Sequence, residues 1–197
     1  MFSPQKIPLK LPDADISYFP NFFSEVESYE LYNIILNETN WHQDNITVFG
    51  KTYAQPRLTA LFANNKKPYC YSNISMHPKI FTKELLKIKL KIETITNIKF
   101  TTCLANLYRD GNDSNGWHAD NEKELGKNPV IASITFGAAR YFNLKHKKNK
   151  ALKQKLLLEN GSLLIMQGST QDYWLHQIAK TKKIVKPRIN LTFRVIC

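Results

Sequence analysis

Arg188-Ile189-Asn190-Leu191-Thr192-Phe193-Arg194 alternates polar and apolar residues without a break. Side chains on a strand point to opposite faces in turn. As a strand, the stretch sends Arg188, Asn190, Thr192 and Arg194 to one side and Ile189, Leu191 and Phe193 to the other. The apolar side suits a core. The polar side is either a solvated basic surface or an inner face, where two arginines are costly without anions to meet. Upstream, the same texture of short runs rich in β-formers continues back to about residue 100. These runs cover residues 101–108, 131–136, 140–144, 162–166 and 174–178, with the last strand at 189–195. Turn-formers such as Asp110-Gly111-Asn112-Asp113 and Gly168-Ser169 separate them.

The first half reads differently. Ser24-Glu25-Val26-Glu27 has the Ser-x-x-Glu form of a capping box, and Val26, Tyr29, Leu31, Ile34 and Leu36 follow with helical recurrence. A second helix is expected over residues 82–92, with Leu85, Leu86, Ile88 and Leu90 set among lysines. Two leading helices followed by many short strands predict a mixed α+β fold, mainly β. It is an antiparallel double sheet with helices packed on one side, for which a jelly roll is the natural candidate. One domain over residues 1–197 is expected. The tracts Lys145-His146-Lys147-Lys148-Asn149-Lys150 and Lys180-Thr181-Lys182-Lys183 fall between predicted strands and read as loops.

Bulk properties narrow the class. No apolar run reaches the roughly 18 residues that span a bilayer, so no membrane is expected. The first eleven residues carry Pro4, Pro8 and two lysines and read as no secretion signal. Cys70, Cys103 and Cys197 are odd in number and scattered, which fits a reducing compartment rather than a disulfide framework. A cytosolic monomer is expected, nucleoid-associated in a bacterium or nuclear in a eukaryote. The balance of 28 Lys+Arg against 16 Asp+Glu gives a formal net charge of +12, a field that attracts polyanions. A lysine-rich genome with biased codons would produce the same charge, so a second line of argument is required.

Asn115-Gly116-Trp117-His118-Ala119-Asp120-Asn121-Glu122 holds a His-x-Asp pair. In an extended segment, residues i and i+2 share a face, so His118 and Asp120 can grip one ion. Of the five histidines, His176 is the one inside an apolar predicted strand, Tyr173-Trp174-Leu175-His176. It is either a core histidine with a hydrogen-bond partner or a third ligand. Two imidazoles and a carboxylate make the facial triad of non-haem Fe(II) oxygenases, with positions left open for co-substrate and O2. A 2-oxoglutarate bound there would need a cation for its distal carboxylate, and a guanidinium offers the bidentate geometry. Arg188 and Arg194 follow His176 in the chain.

These residues closely resemble one family, the AlkB-type Fe(II)/2-oxoglutarate dioxygenases that repair alkylated nucleic-acid bases. The resemblance covers roughly residues 48–194. It is carried by Asn106-Leu107-Tyr108, His118-Ala119-Asp120, Ile131-Ala132-Ser133-Ile134-Thr135-Phe136-Gly137-Ala138, Trp174-Leu175-His176 and the opening stretch Arg188–Arg194. It implies a double-stranded β-helix, or jelly roll, over about residues 101–197. Helices and a nucleotide-recognition lid occupy about residues 1–100. It implies iron held by His118, Asp120 and His176, and 2-oxoglutarate paired with Arg188 and held by Tyr108. Asn106 and Arg194 would lie near the iron-chelating end, and Asn190 and Thr192 would line the pocket.

Ile46-Thr47-Val48-Phe49-Gly50-Lys51 is similar to the hairpin by which a duplex-acting vertebrate homologue inserts an aromatic finger, with Phe49 at the fingertip. Gln55-Pro56-Arg57-Leu58-Thr59-Ala60-Leu61-Phe62 resembles the next lid strand, which places Arg57 and Phe62 against the base, and Glu122 sits where relatives read an exocyclic amine. Aromatic and apolar side chains replace and sandwich a flipped base. The chain departs from the family at Tyr141, where relatives carry Asp or Glu, and at Phe62, where a relative has tyrosine. Both departures bear on the substrate. The implied reaction is oxidative demethylation of 1-methyladenine or 3-methylcytosine in DNA, with RNA as a further substrate, releasing formaldehyde, succinate and CO2. An oxygenase of protein or small molecules would share the triad and Arg188 but has no use for the charge or the hairpin.

Overall fold

The computed structural model describes residues 4–48, 50–65, 69–71 and 74–196. Two sheets face each other. The larger has eight strands in the order Ile7–Leu9, Asp15–Phe19, Ser162–Gln167, Ile131–Gly137, Arg188–Arg194, Thr102–Tyr108, Leu58–Ala63 and Lys79–Ile80. The smaller has four, in the order Asn115–His118, Trp174–Ile178, Arg140–His146 and Lys153–Leu158. Every pairing in them is antiparallel except that of Leu58–Ala63 with Lys79–Ile80. From Thr102 onward the chain visits the sheets in the order large, small, large, small, small, large, small, large. This winding between two antiparallel layers is a jelly roll. Two hairpins, Asn45–Val48 with Lys51–Ala54 and Tyr69–Tyr71 with Ile74–Met76, stand apart from the sheets.

Two helices cover the outer face of the large sheet. Helix α1 spans Glu25–Glu38 and starts on the predicted capping box. The Glu27 N–H donates to Ser24 Oγ (3.2 Å), and the Ser24 N–H donates to a Glu27 carboxylate oxygen (3.0 Å). Helix α2 spans Lys83–Thr96, capped by Thr82, and stops at Asn97, whose φ of 55° is left-handed. It runs four residues past the predicted end at Ile92. Its last turn is held by Glu93, whose carboxylate accepts from the Phe100 N–H (3.0 Å) and pairs with Lys89 (2.8 Å) and Lys99 (3.1 Å).

The large sheet therefore has two buried faces. Ile134, Phe136, Ile189, Leu191 and Phe193 pack against Leu31, Ile35, Leu85 and Ile88 of the helices. On the other side, Ile131, Leu164 and Met166 meet Phe142, Leu144, Trp174 and Ile178 of the small sheet. All seven residues of Arg188–Arg194 are buried, which excludes the solvated basic face. At the turn after Ile131–Gly137, Gly137 has φ +82°, and a Cβ there would lie 2.5 Å from the Pro187 carbonyl and 2.7 Å from the Tyr32 ring. Only glycine fits.

Three expectations change. The helices do not lead the chain, because Ile7–Leu9 and Asp15–Phe19 precede α1 and extend the large sheet. The loop expected at Lys145 begins later. Lys145 and His146 close the strand Arg140–His146, where alternation turns His146 inward against Tyr173 and Trp174. The strand Lys153–Leu158 pairs with it along its whole length. Among the described residues, no helix is long and apolar enough to cross a membrane.

Candidate metal and co-substrate site

The short edge strand Asn115–His118 lies against Trp174–Ile178 in a register that makes His118 and His176 direct cross-strand partners. Their rings sit 4.2 Å apart between centroids, at 62°. Asp120 follows two residues later, and one ligand atom from each of the three lies within 4.8 Å of the others. His118 is partly exposed, while Asp120 and His176 are buried.

Hydrogen bonds fix how each group points. His118 Nδ1 donates to the Gly116 carbonyl (2.7 Å), since a carbonyl can only accept. Nε2 is then the lone-pair nitrogen, and the Asn115 amide donates to it (3.1 Å). The Asp120 N–H donates to Gln171 Oε1 (2.9 Å), and Arg194 Nη2 donates to Asp120 Oδ2 (2.8 Å). The other oxygen, Oδ1, is buried without a hydrogen-bond partner and lies 3.7 Å from His118 Nε2.

The electrostatics suit a cation. Burial opposes ionisation of Asp120, but Arg194 and the two imidazoles outweigh it and hold the carboxyl well below the usual range. Burial, assisted by His118, pushes His176 down to about 3, and burial lowers His118 as well. At neutral pH the cluster is one carboxylate and two neutral imidazoles, the protonation state that a divalent metal requires of its ligands.

Arg188 supplies the opposite pole of the same cavity, into which Asn106, Tyr108, Asn190, Thr192 and Arg194 also face. It is 1% exposed. Its Nη2 donates to Thr135 Oγ1 (2.9 Å), its guanidinium lies 5.1 Å from the centroid of the Tyr108 ring, and Nε and Nη1 have no hydrogen-bond partner. Burial lowers it to about 10, which leaves it charged at neutral pH. Buried donors without partners are costly, and a carboxylate satisfies two of them at once. Asn190 and Thr192 brace the wall: Asn190 donates to Ser133 Oγ (2.7 Å) and the Ile134 carbonyl (3.1 Å), and Thr192 donates to Asn190 Oδ1 (3.0 Å).

The expected substrate residues divide. Val48 pairs with Lys51 across the hairpin, and Gly50 in the intervening turn has φ +74°. Phe49 lies outside the described residues. Lys51 is exposed. Glu122 buries Oε2 without a partner, and its carboxyl is raised by burial and then by the charge of Asp120. Arg57 is buried and faces inward, donating through Nε to Asn106 Oδ1 (2.8 Å) and through Nη1 to the Ser114 carbonyl (3.2 Å). Phe62 is a correction. Alternation along Leu58–Ala63 sends it with Ala60 into the helix-side core, away from the cavity. Tyr141 points outward from the small sheet, between the inward Arg140 and Phe142. The sequence reading missed Asn115 and Gln171, polar residues that touch the ligands. Neither belongs to a repeating pattern.

The 2OG-Fe(II) oxygenase superfamily pattern matches residues 15–194. The chain belongs to this superfamily and, within it, to the AlkB homologues. It is 38% identical over 186 residues to alpha-ketoglutarate-dependent dioxygenase alkB homolog 3 of Bos taurus, covering 90% of this chain and 64% of that protein. Against DNA oxidative demethylase ALKBH2 of Homo sapiens it is 33% identical over 198 residues, covering 95% of this chain and 76% of that protein. The chain thus spans just under two thirds of the length of homolog 3. The solved structure of OsALKBH1 superposes with a TM-score of 0.67 at 16% identity, covering 97% of this chain and 100% of that one, a likeness of fold.

Proposed function

We propose that this chain is an Fe(II)- and 2-oxoglutarate-dependent dioxygenase that repairs alkylated DNA by oxidative demethylation of bases of the 1-methyladenine and 3-methylcytosine type. One observation carries the reading. A single cavity joins the Asp120 carboxylate and two neutral imidazoles at one pole to the partly unsatisfied Arg188 guanidinium at the other. The first pole fits a divalent metal. The second fits the far carboxylate of a short dicarboxylic acid.

Within this reading His118, Asp120 and His176 would hold the iron. Arg194 occupies Asp120 Oδ2 and so reserves Oδ1 for the metal. Arg188 binds the distal carboxylate of 2-oxoglutarate beside Tyr108. Arg57 acts one step back, by fixing Asn106. Bound there, iron would supply, with O2 and 2-oxoglutarate, the oxidation of an N-methyl group, with succinate, CO2 and formaldehyde as the released products. Glu122, two residues past Asp120, presents its carboxylate to a cationic methylated base. The hairpin of Asn45–Val48 and Lys51–Ala54, with Phe49 and Gly50 between its strands in the sequence, holds the strand from which that base is flipped. Changing His118 to Ala abolishes formaldehyde release from 1-methyladenine oligonucleotides and iron-dependent succinate production. Undiminished turnover in this variant refutes the assignment.

A further inference from the structure

The outward face of the small sheet gathers aromatic rings and lysines outside the cavity described above. Alternation along Arg140–His146 turns Arg140, Phe142, Leu144 and His146 inward and leaves Tyr141, Asn143 and Lys145 outward. Trp117 and Tyr141 are 39% and 47% exposed. Each ring carries an ammonium: Lys145 Nζ lies 4.3 Å from the Trp117 centroid, and Lys155 Nζ lies 3.9 Å from that of Tyr141. Beside them Tyr141, Asn143, Lys155, Leu157, Lys180 and Lys183 line a groove of about 470 Å³ that has no acidic side chain in its wall. Among the described residues, no carboxylate forms an ion pair with Lys145, Lys153, Lys155, Lys180 or Lys183.

We propose that this face is a second binding site, for an unpaired run of the same polynucleotide strand whose base enters the metal cavity. The proposal rests on the dealkylase reading for its substrate. Three features support it. The face gathers lysines that form no ion pair among the described residues, as a phosphate backbone requires. Its exposed rings offer stacking surfaces, and only unpaired bases present their own faces to be stacked. The edge strand Asn115–His118 carries His118 on one face and Trp117 on the other, so a strand leaving the cavity crosses a single sheet edge to reach the first ring. An exposed cation–π contact is weak, and a phosphate with its full charge draws the ammonium aside and frees the ring. Lysines that protect a sheet edge from aggregation would explain Lys153 and Lys155. They would not explain the paired rings or the acid-free groove.

The test compares wild type with the double variant Tyr141→Ala/Lys155→Ser. Lys83→Ser on α2 removes one of the same charges from the helix side as a control. Fluorescence anisotropy is read with labelled single-stranded DNA of 5 and 20 nucleotides and a 20-base-pair duplex. Formaldehyde release is read with methylated strands of both lengths. The double variant is expected to lose at least fivefold in affinity for the 20-nucleotide strand and to raise KM for it. Turnover of the 5-nucleotide substrate is unchanged, and the control matches wild type. Tyr141→Phe/Lys155→Arg, which keeps ring and charge, restores binding. Unchanged affinity for the long strand overturns the proposal, as does an equal loss on duplex, which would report charge alone. If wild type releases no formaldehyde at either length, the dealkylase reading fails, and the anisotropy still decides whether the face binds single strands.

Discussion

Arg188 is held by Thr135 and Tyr108 but leaves Nε and Nη1 without protein partners in the cavity wall. A charge-assisted hydrogen bond is worth about 1.5–3 kcal/mol, so losing the bidentate fork weakens 2-oxoglutarate by roughly 10- to 100-fold. Arg188→Lys, which keeps the charge and loses the fork, is expected to raise KM for 2-oxoglutarate in that range with kcat little changed. Arg188→Met should go further and raise the thermal midpoint of the co-substrate-free protein, because a buried cation with unmet donors destabilises the fold. Calorimetry with and without 2-oxoglutarate checks both, and a fall in the midpoint contradicts the second. Gln171 is the other residue to test. Gln171→Ala orphans the buried Asp120 N–H, at about 1–3 kcal/mol. The midpoint should fall by several degrees, and Mn(II) should bind more weakly in a titration. At this scale legibility depended on alternation. The inward direction of Arg188 and Arg194 follows from one unbroken polar–apolar run, whereas Phe62 was placed on the wrong face because a lid strand read by likeness carries no register. Gln171 reaches Asp120 from a four-residue helix, Thr170–Tyr173, across 51 positions of sequence, and no local pattern encodes that.

Helix α2 shows what an element adds. Its start is legible at Thr82, but its end depends on Glu93, whose partners Lys99 and Phe100 lie beyond the helix. Burial raises the Glu93 carboxyl, and its hydrogen bonds with Lys89 and Lys99 outweigh that and lower it overall. A depressed carboxylate contributes stability that is complete above its unfolded value of about 4.3 and is lost as pH falls through the folded value. Glu93→Gln is therefore expected to be less stable than wild type at pH 7, with the gap in thermal midpoint closing below about pH 4. A gap that does not change with pH would mean that packing, not charge, holds this turn. Strands with an apolar inner face, such as Ile131–Gly137, were readable. Lys153–Leu158 was not, because its outward Lys153 and Lys155 make an edge strand look like a solvated loop.

Across the whole molecule, charge and layering separate the two roles of the jelly roll. The large sheet, buried on both sides, carries Arg188, while the small sheet turns one face to solvent. With a formal net charge of +12, strand binding should depend steeply on salt. Three phosphate contacts on a single strand give a fall of about 20-fold in affinity between 50 and 200 mM. Anisotropy at the two concentrations checks this, and a flat response would mean that the charge has no part in binding. The class of fold was visible from the run of short strands. The pairing of His118 with His176 was not, since it depends on which strands become neighbours.

The strand Arg188–Arg194, flanked on both sides and buried throughout, has a consequence for how this gene tolerates mutation. No position in it is free to drift, yet neighbouring positions fail for different reasons. In a saturation library scored for both cellular abundance and the proposed dealkylation, changes at Ile189, Leu191 and Phe193 should deplete the protein itself. Changes at Arg188 and Arg194 should leave protein present but inactive. The difference between the two score tracks should oscillate with a period of two residues, so that a survival assay would display the pleat of the strand.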